Sequence, residues 1–189
     1  MKYAGFWRRL IAISIDEFLV GLAGYALASA VVVVALYVSP VTQAKYDSVY
    51  NYSVIFANIL VGLLYFVLME GKAGETVGKK LMKLKLVRID QPNRDGIGID
   101  RAAFRLIAAS FLQLFAGVNY VVMLLSPERR TLQDALFKTA VVFDPAGKFP
   151  AFDPEKLPAA PRRRTLFVVA LIISFLSAVG QIIYVAGLI

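Results

Sequence analysis

Cysteine and histidine are both missing from this chain of 189 residues. Their absence excludes disulfide frameworks, Cys/His zinc sites, haem ligation, thiol nucleophiles and every acid–base scheme built on imidazole. A serine nucleophile would need another base, and there is no G-x-S-x-G elbow to present one. Charge is scarce too. Charged residues make up 18% of the chain and hydrophobic ones 59%, against about a quarter and a half in an ordinary soluble domain. The apolar excess is gathered into runs long enough to cross a bilayer, so the expectation is one membrane domain without a second large soluble one. The remaining carboxylates and lysines form no recognisable catalytic arrangement. No enzyme activity, cofactor or metal site is expected.

What charge there is leans basic, 21 Lys+Arg against 13 Asp+Glu, a net +8. No basic stripe interleaved with stacking aromatics stands outside the apolar runs, so nucleic acid is not an expected partner. The lipid bilayer, with its anionic phospholipid, and the positive-inside rule account for the balance.

The first apolar segment divides into a polar-tipped start, Phe6 to Glu17, and a continuous run from Phe18 to Val38, which Ser39-Pro40 ends. It has a basic flank but no A-x-A cleavage site, and reads as a retained anchor. A second run covers Tyr52 to Met69, with Tyr46, Tyr50 and Tyr52 as an interfacial belt, and closes at Glu70-Gly71. The third runs from Leu106 to Leu125 and the fourth from Leu166 to Ile189. Between them, the β-branched pieces Leu84 to Ile89 and Thr139 to Phe143 read as strands that pair, and Gln91 to Gly96 reads as a turn. Ala146 to Pro161 is Pro-rich and reads as a tether. The expected fold is an all-α integral membrane protein with four hydrophobic helical segments and a short cytoplasmic β-hairpin-like element.

All basic residues but Lys45 fall at the start of the first segment (Lys2, Arg8 and Arg9, ahead of its continuous apolar run), in Gly71 to Arg105, or in Ser126 to Arg164. The first two regions fit the inside of a membrane with two spans between them, and a cytoplasmic N-terminus. The third fits only if Leu106 to Leu125 re-enters, since Arg101 and Arg105 flank one end while Arg129 and Arg130 flank the other. Such a hairpin would have two arms of about ten residues, roughly 15 Å each, bending at Ala116 to Asn119 with Gln113 satisfying freed backbone. A plain span that breaks the charge rule is the other resolution, and the sequence leaves both open.

Several side chains invite a chemical reading. Arg9 and Asp16 are seven apart and return to nearly the same helix face, with Glu17 adjacent. A carboxylate two turns into a membrane-entering helix is either an inward-facing ionic site or a group that snorkels with Arg9 at the headgroup level. Asp134 follows Arg129-Arg130 and opens an apolar turn, so it caps a helix or pairs with an arginine. Arg101 and Arg105 share a face, and either can receive Asp16 or Asp134. Glu70, at a helix C-terminus, needs a cation such as Lys79 or Lys80. Gly74-Glu-Thr-Val-Gly78-Lys79-Lys80 has the wrong spacing for a phosphate loop. It reads as a glycine turn before an interfacial helix, Gly78 to Lys85, with Lys79, Lys80 and Lys83 toward anionic lipid. Gly21, Gly24 and Ala28 offer a close-packing helix face.

Together these pieces resemble the RDD family of bacterial membrane proteins. The resemblance rests on Tyr3 to Ala12 with Ile15-Asp16, on Glu70-Gly71 and Gly74 to Leu81, on Arg101 to Arg105, and on Arg130 to Asp134 leading to Thr139 to Val142. It covers residues 3–143, leaving a basic linker at 144–164 and an added membrane helix at 165–189. It implies residence in the bacterial inner membrane, and the family's arginine and two aspartates map onto Arg9, Asp16 and Asp134. Gln133 stands where a His commonly precedes the last aspartate. A sodium/proton antiport role is proposed for some members, and here carboxylates would alternate between a sodium ion and protons, in an oligomer large enough to enclose a pathway. The competing reading is a non-catalytic scaffold or accessory subunit of a larger membrane complex, with the Arg/Asp network structural.

Overall fold

The computed structural model describes residues 1–38, 43–91, 95–113, 118–126, 128–149 and 153. The first apolar segment is undivided: α1 runs over Phe6–Val38, with no break at Glu17. Its 33 residues extend about 50 Å. Beyond Phe6, only a narrow stripe is buried, Ala12, Asp16, Val20, Gly24, Ala28 and Val32, each four residues after the last. Large apolar side chains such as Phe18, Leu22 and Val33 are exposed, as expected of a helix that faces lipid rather than a protein core.

α2, Gln43–Ala73, packs along that stripe. It runs past the expected close at Glu70-Gly71 and ends three residues later. Gly24 lies against Asn58, Val20 against Gly62, and Asp16 bonds Tyr65, so the two helices are antiparallel. Gly24 and Ala28 thus serve internal packing, while Gly21 has open space around it. These are the two helices among the described residues that are long and apolar enough to cross a membrane.

The third segment is two helices, α4 over Ile99–Gln113 and α5 over Val118–Leu125. α4 begins at Ile99, before the segment, so the helical stretches inside it are 106–113 and α5. Ala116 and Gly117 of the expected bend lie outside the described residues, as do most of the proposed tether and the whole fourth segment.

The strands form where the β-branched pieces suggested. β2 is Leu84–Arg88 and β3 is Thr139–Phe143, antiparallel, with Leu84 opposite Phe143 and Arg88 opposite Thr139. A third strand was not foreseen: β1, Lys2–Tyr3, pairs with the other edge of β3 and gives the order β1-β3-β2. Alternation sorts the faces. Leu84, Leu86, Val141 and Phe143 join Ala4, Ala12, Val67 and Ile97 in the core beneath the helices, while Tyr3, Val87, Ala140 and Val142 form a smaller cluster.

The expected interfacial helix Gly78 to Lys85 is shorter. α3 covers Val77–Leu81 only. Lys83 adopts a left-handed φ of 57° and turns the chain into β2, while its ammonium donates to the Pro145 carbonyl at 2.7 Å. Gly74 has φ +70°, and a Cβ there would sit 2.4 Å from the Leu86 carbonyl oxygen. That carbonyl approach, with Leu86 N donating to Gly74 O at 2.7 Å, ties the end of α2 to the sheet. α6, Leu132–Leu136, leads into β3.

Candidate functional site

Asp134 is the centre of an ion-pair lattice. The sequence Thr131-Leu-Gln-Asp134 makes a capping box: Asp134 N donates to Thr131 Oγ1 at 3.2 Å and Thr131 N to Asp134 Oδ2 at 3.3 Å. The cap fixes the carboxylate at the start of α6, where two arginines reach it from other helices. Arg9 of α1 donates to Oδ2 at 2.8 Å, and Arg105 of α4 to Oδ1 at 2.8 Å. Both expected roles, cap and ion pair, are realised at once.

Arg105 turns its other nitrogen to Glu70 Oε2 of α2 at 2.6 Å, and Lys79 of α3 takes Glu70 Oε1. Arg9 also donates to the Arg129 carbonyl at 2.6 Å. Five helices are therefore joined through one chain of charges, Arg9, Asp134, Arg105, Glu70 and Lys79. Asp134 is fully buried and Arg105 nearly so. Burial alone would push the Asp134 carboxyl up, but the Arg105 and Arg9 guanidiniums outweigh it and hold the group well below the usual carboxylate range.

Asp16 belongs to a different arrangement. It is 1% exposed, yet makes no ion pair among the described residues. Neutral donors surround it instead: Tyr65 Oη at 2.6 Å, Thr76 Oγ1 at 2.5 Å and Gly78 N at 2.7 Å. Thr76 caps α3, and Tyr65 Oη also accepts from Val77 N at 2.9 Å. Gly78 is required here because a Cβ would lie 2.1 Å from the Ala12 carbonyl oxygen. Arg9 and Asp16 share a helix face but not a partner: Asp16 is buried rather than snorkelling, and Arg9 is paired with the buried Asp134.

Two other expectations are corrected. Arg101 receives neither Asp16 nor Asp134. It donates to both oxygens of Asp90, at 3.0 and 3.1 Å, and to the Phe137 carbonyl at 3.0 Å, because the Arg88–Asp90 pair at the end of β2 lies beside the start of α4. The hydrogen bond from Arg88, joined by that from Arg101, draws the Asp90 carboxyl well below its usual range. Lys79 does not point to lipid, since Glu70 claims it, while Lys80 and Lys83 are exposed. Glu17 is exposed and stands apart from the lattice, with no ion-pair partner among the described residues.

Sequence reasoning missed Tyr65, Thr76 and Thr131. The last had a signal, its capping-box spacing to Asp134. Tyr65 carried none, as tyrosine in an apolar helix is ordinary at an interface. Between the lattice and Asp16 lies a cleft of about 200 Å³, with Arg9, Asp16, Glu17, Glu70, Lys79 and Arg105 as its charged lining. No group of three or more acidic residues suited to a metal occurs among the described residues.

The model of the RDD family matches residues 3–138 of the chain. The chain is also similar to the uncharacterized protein YxaI of Bacillus subtilis (strain 168), 28% identical over 155 residues that cover 75% of this chain and 98% of YxaI. A second similarity is to the uncharacterized membrane protein YteJ of the same strain. It is 25% identical over 143 residues, 75% of this chain and 82% of YteJ. No solved structure matches.

Proposed function

The chain is a membrane protein of the RDD family, and from that premise we propose that it is a scaffold or accessory subunit whose Arg/Asp/Glu lattice is structural. One observation carries the reading. Each of the four carboxylate oxygens of Asp134 and Glu70 already accepts from a guanidinium or ammonium, so both charges are neutralised in place and a transported ion would have to compete with a buried pair. Removing one partner from such a pair costs about 3–5 kcal/mol, a stabilisation that a structural lattice keeps and an ion pathway would have to offset in each cycle. The lattice instead fixes how the two long helices stand on the sheet, and leaves their exposed apolar faces to lipid or to a larger complex.

The same lattice supports a re-entrant third segment. Arg105, which immediately precedes Leu106, and Asp134, in α6 beyond Leu125, share a hydrogen bond, so the segment's two flanks lie together. With two crossings by α1 and α2, the positive-inside rule favours a reading in which the N-terminus, sheet and lattice face the cytoplasm across a bacterial inner membrane.

The test is a double-mutant cycle on the full chain in detergent, using Arg105→Gln, Asp134→Asn and the pair. A structural lattice lowers the melting temperature by roughly 10 °C in each single variant, and the pair loses clearly less than the sum. Single variants that melt like the parent would refute it. The second reading, sodium/proton exchange, is favoured by Asp16, a buried carboxylate with no ion pair among the described residues, beside a cleft.

A further inference from the structure

We propose that the cleft between α1, α2 and α4 is a binding site for a small amphipathic ammonium, a primary amine carried on an apolar chain. The proposal goes beyond the scaffold reading and does not depend on it.

Charge sets the sign of the ligand. The cleft is bordered by three cations, Arg9, Lys79 and Arg105, and three carboxylates, Asp16, Glu17 and Glu70. The cations are committed elsewhere: Arg9 to Asp134, Lys79 to Glu70, and Arg105 to both. Asp16 and Glu17 keep no cationic partner among the described residues. Asp16 is the buried end of the site, its oxygens already oriented by Tyr65, Thr76 and Gly78, while Glu17 is exposed. A carboxylate at this depth gains from a cation brought to it, because screening by water is weak there.

The walls set the remainder of the ligand. Ala12, Ile13, Phe66, Leu106 and Ala109 line the same cleft, and would exclude a hydrated inorganic ion from much of it while burying methylene groups. An apolar cavity near 150 Å³ holds a benzene ring, so about 200 Å³ accommodates an alkyl chain of roughly six carbons. The ammonium then sits toward Asp16 and Glu17, and the chain lies along Ile13, Phe66 and Leu106. An anion is disfavoured, since the guanidiniums that would receive it are held by carboxylates.

The experiment is equilibrium dialysis of radiolabelled hexylamine against the full chain in phosphatidylcholine nanodiscs, with binding to empty nanodiscs subtracted. Hexanol and hexanoate are the neutral and anionic probes. Glu17→Gln is the first variant, since an exposed side chain outside the lattice leaves folding intact. Ala109→Phe, which fills the cleft, is the second, with an unchanged melting temperature required of both. The account expects saturable hexylamine binding, weakened at least about tenfold in Glu17→Gln and abolished in Ala109→Phe, with hexanol and hexanoate binding more weakly. Equal binding of hexylamine and hexanol, or binding unaffected by either folded variant, would overturn it. Repeating the assay with phosphatidylethanolamine in the discs separates the sources of the amine: competition identifies the lipid headgroup as the occupant, and its absence a free amine.

Discussion

Asp134 and Asp16 are both buried aspartates on the same side of the molecule, and their partners give them opposite characters. Two guanidiniums hold Asp134, whereas Asp16 is held by two hydroxyls and a backbone N–H. The N–H comes from Gly78, so the Asp16 site depends on a position with no room for a side chain. Gly78→Ala should force α3 away from the Ala12 carbonyl, weaken the Gly78–Asp16 bond and destabilise the protein by about 1–3 kcal/mol, read as a lower melting temperature in detergent. An unchanged value would mean that α3 is not packed against α1 as described. The sequence made Arg9, Asp16, Glu70, Arg105 and Asp134 legible as candidates, because charge in an apolar chain is conspicuous. Two of the pairs, Arg105–Asp134 and Lys79–Glu70, were among those the sequence offered, but Arg9–Asp134 was not. Arg9 and Asp16 share a helix face, but Asp134 is 125 residues from Arg9, a distance that no local spacing encodes.

Among the elements, β2 and β3 could be read from their alternating β-branched residues, since alternation is the direct imprint of two differently packed faces. β1 could not, because two residues carry no period. α3 was read too long because its lysines continue past Leu81, and the left-handed turn at Lys83 has no glycine to announce it. The third segment was ambiguous from charge alone. The hydrogen bonds of Arg101 to the Phe137 carbonyl and of Arg105 to Asp134 now set its flanks side by side. Because the chain lacks cysteine, single-cysteine variants report without background. Lys72→Cys, before α4, and Lys148→Cys, after β3, should both react with a membrane-impermeant maleimide from the same face of sealed vesicles. Labelling from opposite faces would contradict the re-entrant reading.

For the molecule as a whole, the lattice makes stability depend on pH in a definite direction. Asp134 and Asp90 both have carboxyls held below the normal range. An acid whose pKa is depressed in the folded state stabilises that state above its unfolded pKa, about 4, and the contribution is lost as pH falls toward the native value. The melting temperature should therefore hold from pH 7 to 5 and drop steadily below about pH 4. Asp90→Asn should flatten part of that drop, whereas a drop of the same depth in Asp90→Asn would remove Asp90 from the account.

The most direct test of the central claim, that the lattice holds the fold and does not carry ions, is sodium-driven proton flux in proteoliposomes of the full chain, with folded Asp134→Asn alongside. Neither protein should carry flux above that of empty liposomes. Flux in the parent that disappears in a folded Asp134→Asn would contradict it and make the lattice an ion pathway.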